Sequence, residues 1–343
     1  MEKYPTEKVP CPLCESCDCR PWRKSPDRLL HRPEPAWTIV ACRSCGTRYL
    51  NPRPTLDSLH LHYPDRYIPY QINEKAERRF RFADPDLLSP LDRAFMEDML
   101  GYGAYAKKGD PHPAKPFTPD FDMSLSPPPP FREEGGRLLE IGCSHGLYLE
   151  RVRELGWQVE GLEMDEAAAE YAREKRGLDV RQGLFQPGMF PADTYDAIAM
   201  WQVLEHVPDP LETLRELRRL IRADGCLLIG VPNTDGLISA LTGGAYAYLD
   251  APRHFTQFTR TSLTRFLETA EFEVEWMIHP ATMREMLRSM AYLAEGMGAK
   301  KIGDKIWASR RKKWMRRLER GGGRLLAKWK QGSRITALAR PKV

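Results

Sequence analysis

Residues 137–164 read RLLEIGCSHGLYLERVRELGWQVEGLEM, and this stretch decides the fold class. RLLEIGC is a short apolar run that stops at a glycine-rich turn, the pattern of a buried strand. LYLERVRELG has apolar residues at helical spacing and ends at Gly156, so it reads as an amphipathic helix. WQVEGLEM is a second strand. Strand, turn, helix and strand form one unit of a parallel sheet. The pattern then repeats. DEAAAEYAREKRG is a helix with Asp165 at its N-cap, LDVRQG a third strand, YDAIAMW a fourth, and DPLETLRELRRLI a helix. GCLLIGVPN is a fifth strand, TRTSLTRFLETAEF a helix with a threonine cap, FEVEWMIH a sixth strand, and ITALARPK a candidate seventh. This alternation predicts an α/β fold whose sheet is covered by helices on both faces.

Within that frame, Glu140, Gly142, Ser144 and Gly146 sit in the turn after the first strand. Such a turn lets the backbone approach a ligand and opens a helix N-terminus toward it. The Glu140 carboxylate can meet a cationic amino group. Glu163 ends the second strand, 21 residues after Gly142, where an acid accepts hydrogen bonds from a ribose diol. The fourth strand runs into WQVLEHVPDP, which sets Trp201, Gln202 and His206 at the edge where open α/β sheets bind ligands. A nucleotide-binding oxidoreductase is an alternative, but Gly142-x-x-x-Gly146 lacks the second glycine of the dinucleotide fingerprint.

LLEIGCSHG, VEGLEMD and YDAIAMWQVLEHVPDP, in this order and spacing, resemble the class I S-adenosylmethionine-dependent methyltransferases over roughly the last 200 residues. The resemblance implies a Rossmann-like seven-stranded sheet with one antiparallel strand near the end. It also implies site roles. Gly142, Ser144 and Gly146 would lie under the methionine part of S-adenosylmethionine, with Glu140 orienting the turn or the amino group. Glu163 would take the ribose hydroxyls and Met164 would lie against the adenine. Leu184 and Phe185 would flank the adenine edge, and Trp201 and Gln202 would line the site. Two positions depart from the family pattern: Ser144 replaces the usual middle glycine, and Leu184 replaces an acid that would accept from the adenine amino group.

YLDAPRHFTQFTRTSLTRFLETAEF, after the fifth strand, resembles the Pro-Arg-His-x3-Phe-Thr segment of a methyltransferase subgroup in which this loop covers the acceptor. Methyl transfer is an in-line displacement that depends on positioning, and a hydroxyl acceptor also gains from a base of near-neutral pKa. His254 is therefore the first candidate base, His206 the second and His145 the third. Arg253 is a candidate anchor for an anionic substrate, and Tyr246 and Tyr248 are candidates for the acceptor pocket. Transfer to a small-molecule or lipid/glycan-linked hydroxyl is the expected activity, with a zinc- and RNA-binding modification protein as the alternative.

Six of the eight cysteines lie between Cys11 and Cys45. The N-terminal residues show no apolar leader, so a cytoplasmic, reducing location is expected, where such clustering favours metal over disulfides. Cys11-Pro-Leu-Cys14 and Cys42-Arg-Ser-Cys45 are two knuckles that can place four thiolates on a structural zinc ion. Cys17, Cys19 and His31 are alternative ligands. PWRKSPDRLL and AWTIVAC are candidate limbs of a hairpin between the knuckles. The second knuckle runs into Asn51-Pro-Arg-Pro54, which resembles the N-terminal ribbon of some bacterial methyltransferases.

The expected organisation is a zinc-ribbon-like module over 1–50, a helical connector over 51–106, a solvated proline-rich linker over 107–136 and a methyltransferase domain over 137–343. The net charge of +5 hides an asymmetry: residues 281–343 hold 18 Lys/Arg against 4 Asp/Glu, or +14, which leaves −9 elsewhere. Residues 283–330 form a basic helical insertion. Met283, Leu287, Met290, Ala294 and Met297 repeat at helical spacing, and Trp307, Trp314 and Trp329 oppose a row of Lys and Arg that includes Arg310, Lys312, Lys313, Arg316 and Arg320. That pattern suits packing over the acceptor site or peripheral contact with an anionic membrane. Nucleic acid is the less favoured partner.

Overall fold

The computed structural model describes residues 4–30, 32–63, 81–103, 105, 126–281, 283–311, 322–323 and 325–342. Its centre is a seven-stranded sheet made of β6 (Arg137–Ile141), β7 (Gln158–Glu163), β8 (Asp179–Gln182), β9 (Tyr195–Trp201), β10 (Ile221–Pro232), β12 (Phe272–Ile278) and β13 (Arg334–Pro341), in the order β12-β13-β10-β9-β6-β7-β8. β6 to β10 pair in parallel. β13 inserts between β10 and β12 and runs antiparallel to both, so the last segment of the chain supplies the reversed strand. The fold is therefore the Rossmann-like α/β sheet expected from the strand–helix alternation.

Alternate side chains of each strand feed two cores. Leu139, Ile198, Met200, Leu227 and Ile229 face the helices Pro210–Leu220 and Arg260–Thr269, whose Leu214, Leu217, Leu263 and Phe266 are buried. Asp209 and Thr259 cap these helices through their side chains, which ties each start to the loop before it. Leu138, Ala197, Ala199 and Leu228 face the opposite way. That face is covered by Tyr148, Trp157 and the helix Pro90–Asp98, whose Phe95 stacks edge-on against Trp276. Residues 82–102 are thus one layer of the sheet's own core.

The proline-rich segment differs from expectation where it is described. Pro127, Pro128 and Pro129 are buried, not solvated. An extended proline run has no internal hydrogen bonds, so its carbonyls seek other donors. Tyr148 and Tyr102 supply them, donating to the Pro127 and Pro129 carbonyls at 2.9 Å each. Residues 107–125 of the expected linker lie outside the described residues.

The cysteine-rich segment forms a hairpin of β2 (Cys19–Asp27) and β3 (Arg32–Cys42), extended by β4 (Arg48–Leu50), and β1 (Thr6–Glu7) pairs with β5 (Arg53–Pro54) beside it in sequence. A fourth strand, β11 (Thr256–Gln257), joins this sheet from the loop after β10, pairing Thr256 with Tyr49 and Gln257 with Arg48. A buried ion network closes the junction. The Arg253 guanidinium donates to Asp27 at 3.0 Å, to Asp250 at 2.6 and 3.0 Å, and to the His62 carbonyl at 2.7 Å. Arg253 is fully buried, so it does not serve as the substrate anchor its position suggested. Its charge is used instead to compensate Asp27 and Asp250.

The insertion before β13 contains the helices Met283–Gly296 and Lys300–Ala308. Here the apolar repeat misleads. Leu287 is buried, but Met290 and Met297 are exposed, and the side that turns inward carries Arg284, Glu285, Arg288 and Tyr292. The basic row from Lys312 to Arg320, with Trp314, lies outside the described residues. No helix among the described residues is long and apolar enough to cross a membrane.

Candidate active site

A cavity of about 450 Å³ opens at the C-terminal edge of the parallel strands. One end is built by strand termini. Gly142 follows β6, Glu163 ends β7 with Met164 next, and Trp201 ends β9 with Gln202 next; all of them, with Ser144, line the wall. Gly142 holds φ at +74°, and a Cβ there would sit 2.5 Å from Val203 Cγ2, so only glycine fits. Ser144 keeps the left-handed turn with φ of +48° despite its side chain. Its N–H donates to Glu163 Oε2 at 2.7 Å, and the Asp165 N–H donates to Glu163 Oε1 at 2.8 Å. These two backbone donors orient the Glu163 carboxylate at the cavity wall.

Three other predicted residues of this end stand back from the cavity. Glu140 is buried behind the turn, where burial and then the charge of Glu163 raise its pKa well above the usual range. Gly146 is a left-handed N-cap whose Cβ position is filled by Leu178 Cδ1 at 2.4 Å. His145 lies outside the wall as well, with its Nδ1 3.1 Å from Ser144 Oγ. On the adenine side, Phe185 stacks at 6.4 Å on Phe190 and Leu184 is 62% exposed; neither belongs to the cavity wall.

The other end of the cavity is assembled from distant segments. They are Ser25 to Leu29 of the cysteine hairpin, Tyr63, Glu205 and His206 after β9, Tyr246 to His254 after β10, Arg284 to Tyr292, and Arg334 at the start of β13. His254 Nδ1 lies 2.9 Å from the Tyr248 carbonyl. A carbonyl can only accept, so Nδ1 carries the proton and Nε2 presents a lone pair. Asp250 Oδ2 is 3.9 Å from that Nε2. The His206 ring meets His254 edge-on at 4.4 Å, and its Nδ1 is 3.1 Å from the Tyr63 hydroxyl. Burial and the neighbouring His254 push His206 down to about 3, and burial lowers His254 as well. Both rings are therefore neutral near pH 7. Burial raises Glu205 to about 8, and neither of its carboxyl oxygens has a hydrogen-bond partner among the described residues. One oxygen of Glu205 and one nitrogen of each histidine lie within 4.8 Å of one another.

A family profile described as "Methyltransferase domain" matches residues 122–275, which supply the strand-end wall of this cavity and the segments of Glu205, His206 and Tyr246 to His254 at its other end. A probable S-adenosylmethionine-dependent methyltransferase of Mycolicibacterium smegmatis is 29% identical over 178 residues, covering 50% of this chain and 67% of that protein. A ubiquinone biosynthesis O-methyltransferase of Dinoroseobacter shibae is 30% identical over 165 residues, covering 45% of this chain and 66% of its own. Residues 122–275 are thus a methyltransferase domain, similar to S-adenosylmethionine-dependent methyltransferases. A solved methyltransferase structure from Thermotoga maritima aligns with it at 19% identity and a TM-score of 0.41, covering 60% of this chain and 83% of that one. The matched segments span about two thirds of the curated relatives.

The methyltransferase also carries the cysteine cluster. Cys11, Cys14, Cys42 and Cys45 bring their sulfurs within 4.8 Å of one another, with Cys11–Cys45 at 3.5 Å and Cys14–Cys42 at 3.6 Å. The two knuckles share a geometry: Glu15 follows the first at φ +59°, Gly46 the second at φ +78°, and their N–H groups donate to the carbonyls of Cys11 and Cys42. Burial opposes ionisation of Cys42, but the N–H groups of Cys45 and Ser44 outweigh it and hold the thiol at about 7. Cys17 and Cys19 are not members of the cluster, and His31 lies outside the described residues.

Sequence reading missed Glu205, Asp250, Tyr63, Arg334 and the inward side of the insertion. Glu205 and Asp250 had a usable signal, because each is an acid next to or near a candidate histidine in an otherwise apolar stretch. Arg28 and Tyr63 had none, since they reach the cavity only through the docking of the cysteine hairpin.

Proposed function

We propose that the enzyme transfers the methyl group of S-adenosylmethionine to a hydroxyl of a small-molecule or lipid- or glycan-linked acceptor. The observation that carries this reading is the His254 ring, neutral, fixed by the Tyr248 carbonyl, and facing the same cavity that Gly142, Ser144 and Glu163 line at its other end. The cofactor supplies an electrophilic sulfonium methyl when bound. The Gly142–Ser144 turn would lie under its amino-acid part, the Glu163 carboxylate would accept from the ribose hydroxyls, and Met164, Trp201 and Gln202 would flank the rest. His254 Nε2 would take the acceptor's proton, and Asp250 would stabilise the resulting imidazolium. The name of the Dinoroseobacter relative supports oxygen as the methylated atom.

The test is a pair of variants on any hydroxyl acceptor found to be methylated. His254→Ala should lower turnover by roughly 10²–10⁴-fold and leave S-adenosylhomocysteine affinity intact, and His254→Asn should not restore it. In the parent enzyme the acid limb should fall below pH 6.5, because burial lowers the pKa of the base and only its neutral form accepts a proton. Normal turnover in both variants would remove His254 as the base and leave His206 to be tested.

Zinc on Cys11, Cys14, Cys42 and Cys45 belongs to the same proposal. Four sulfurs at about 2.3 Å from one zinc ion would lie roughly 3.8 Å apart, close to the spacing seen here. Elemental analysis of protein purified without added metal should find one zinc per chain, and a metal-free protein would overturn it.

A further inference from the structure

Resting on the methyltransferase reading above, we infer that the acceptor is anionic, and that its carboxylate or phosphate is held by Arg28 of the cysteine hairpin together with Arg288 of the helix Met283–Gly296. The charge balance of the cavity's acceptor end leads there. Four arginines line it: Arg28, Arg284, Arg288 and Arg334. Arg334 is bonded to the Tyr248 hydroxyl at 2.6 Å and faces Glu285 at 3.8 Å. Asp250 is doubly bonded to Arg253, which lies outside the wall. Glu205 is held largely protonated at neutral pH. No acid among the described residues lies within ion-pair distance of Arg28 or Arg288.

Both guanidiniums rest on aromatic faces instead. Arg28 lies 4.9 Å over the Tyr292 ring and Arg288 lies 4.9 Å over Trp307. Tyr292 is one helical turn beyond Arg288, so the two cations share one side of the helix. Stacking restrains the plane of a guanidinium and leaves its N–H edge free to meet a planar oxyanion in bidentate fashion. The Arg28 Nε is buried with no partner of its own. Glu295 acts on Arg28 through its charge without forming an ion pair, so a half-buried cation keeps part of its desolvation cost, and a bound anion would offset it.

The same geometry gives the cysteine module a purpose. Ser25, Pro26, Arg28 and Leu29 sit at the far end of the hairpin whose base is the four-cysteine cluster. The module is then a wall of the acceptor site, with the four-cysteine cluster at one end and the Asp27–Arg253 pair at the other.

Calorimetry on the full-length, zinc-replete protein tests this. S-adenosylhomocysteine is titrated first; then inorganic pyrophosphate and, separately, 4-hydroxybenzoate are titrated into the saturated complex. At least one oxyanion should bind, and the two arms distinguish a phosphate site from a carboxylate site. Arg28→Gln and Arg288→Gln should each weaken that binding about tenfold or more while S-adenosylhomocysteine affinity stays unchanged. Binding of neither oxyanion would overturn the inference. So would binding that both variants retain, which would place the anion on the basic surface of the insertion. Failure of S-adenosylhomocysteine to bind would instead strike the methyltransferase reading.

Discussion

The two ends of the cavity are built in opposite ways. The cofactor end uses residues at the tips of three adjacent parallel strands, and its geometry is set by backbone: a glycine turn, two N–H groups on Glu163, and a strand edge. The acceptor end gathers side chains from six separated segments, and its geometry is set by a buried ion network and by aromatic stacking. A backbone-built site follows from the fold itself, so it can stay the same while acceptors change. A side-chain-built site depends on docking, so it can be altered, or lost, without disturbing the sheet.

Removing Arg253 should break the comparison most visibly. Asp27 is buried and its carboxyl is held below the usual range: burial pushes it up, but His62 and Arg253 outweigh that. Arg253→Ala would leave this buried carboxylate with only His62 and the Leu30 N–H, at a cost of about 3–5 kcal/mol. Urea unfolding of the variant measures it. At a temperature where the variant is still folded, S-adenosylhomocysteine affinity should be near that of the parent, because no cofactor-end residue touches the network. A loss under about 1 kcal/mol would mean that the hairpin is not anchored through this pair.

The same contrast explains what could be read in advance. The alternation of strands and helices, the capped helices and the places of Gly142, Glu163, Trp201 and Gln202 at strand ends followed from local pattern, because period and turn chemistry act over a few residues; the reversed strand was implied only by the family resemblance, and the strand order came with the structure. The four-cysteine cluster was legible for the same reason, since each knuckle is local. Arg253 and the apolar stripe of the insertion misled because their environment is set by partners far away in sequence. Arg253 finds Asp27 across most of the chain, and helix Met283–Gly296 turns Arg284 and Arg288 inward because a cavity, not a core, lies beneath it. The burial of Pro127 to Pro129 depends likewise on two tyrosine hydroxyls that no proline-rich pattern announces.

Glu163 gives the smaller but sharper test of the backbone-built end. Its carboxylate is oriented by the N–H groups of Ser144 and Asp165, so truncation removes an acceptor for the ribose and also two supports of the turn. Glu163→Ala should lower S-adenosylhomocysteine affinity by about 1.5–3 kcal/mol, the worth of hydrogen bonds to a charged group. Looseness of the turn alone could produce part of that loss, so a second comparison is needed. The parent should bind adenosine more tightly than 2′,3′-dideoxyadenosine, because only adenosine offers the diol. Direct recognition requires that Glu163→Ala erase this preference, whereas a loosened turn would weaken both ligands equally and preserve it. Glu163→Gln should not rescue, since the amide nitrogen would face one of the two N–H donors and leave that donor unpaired. If the preference survives in Glu163→Ala, ribose recognition lies elsewhere and Glu163 serves only to hold Ser144 in its left-handed turn.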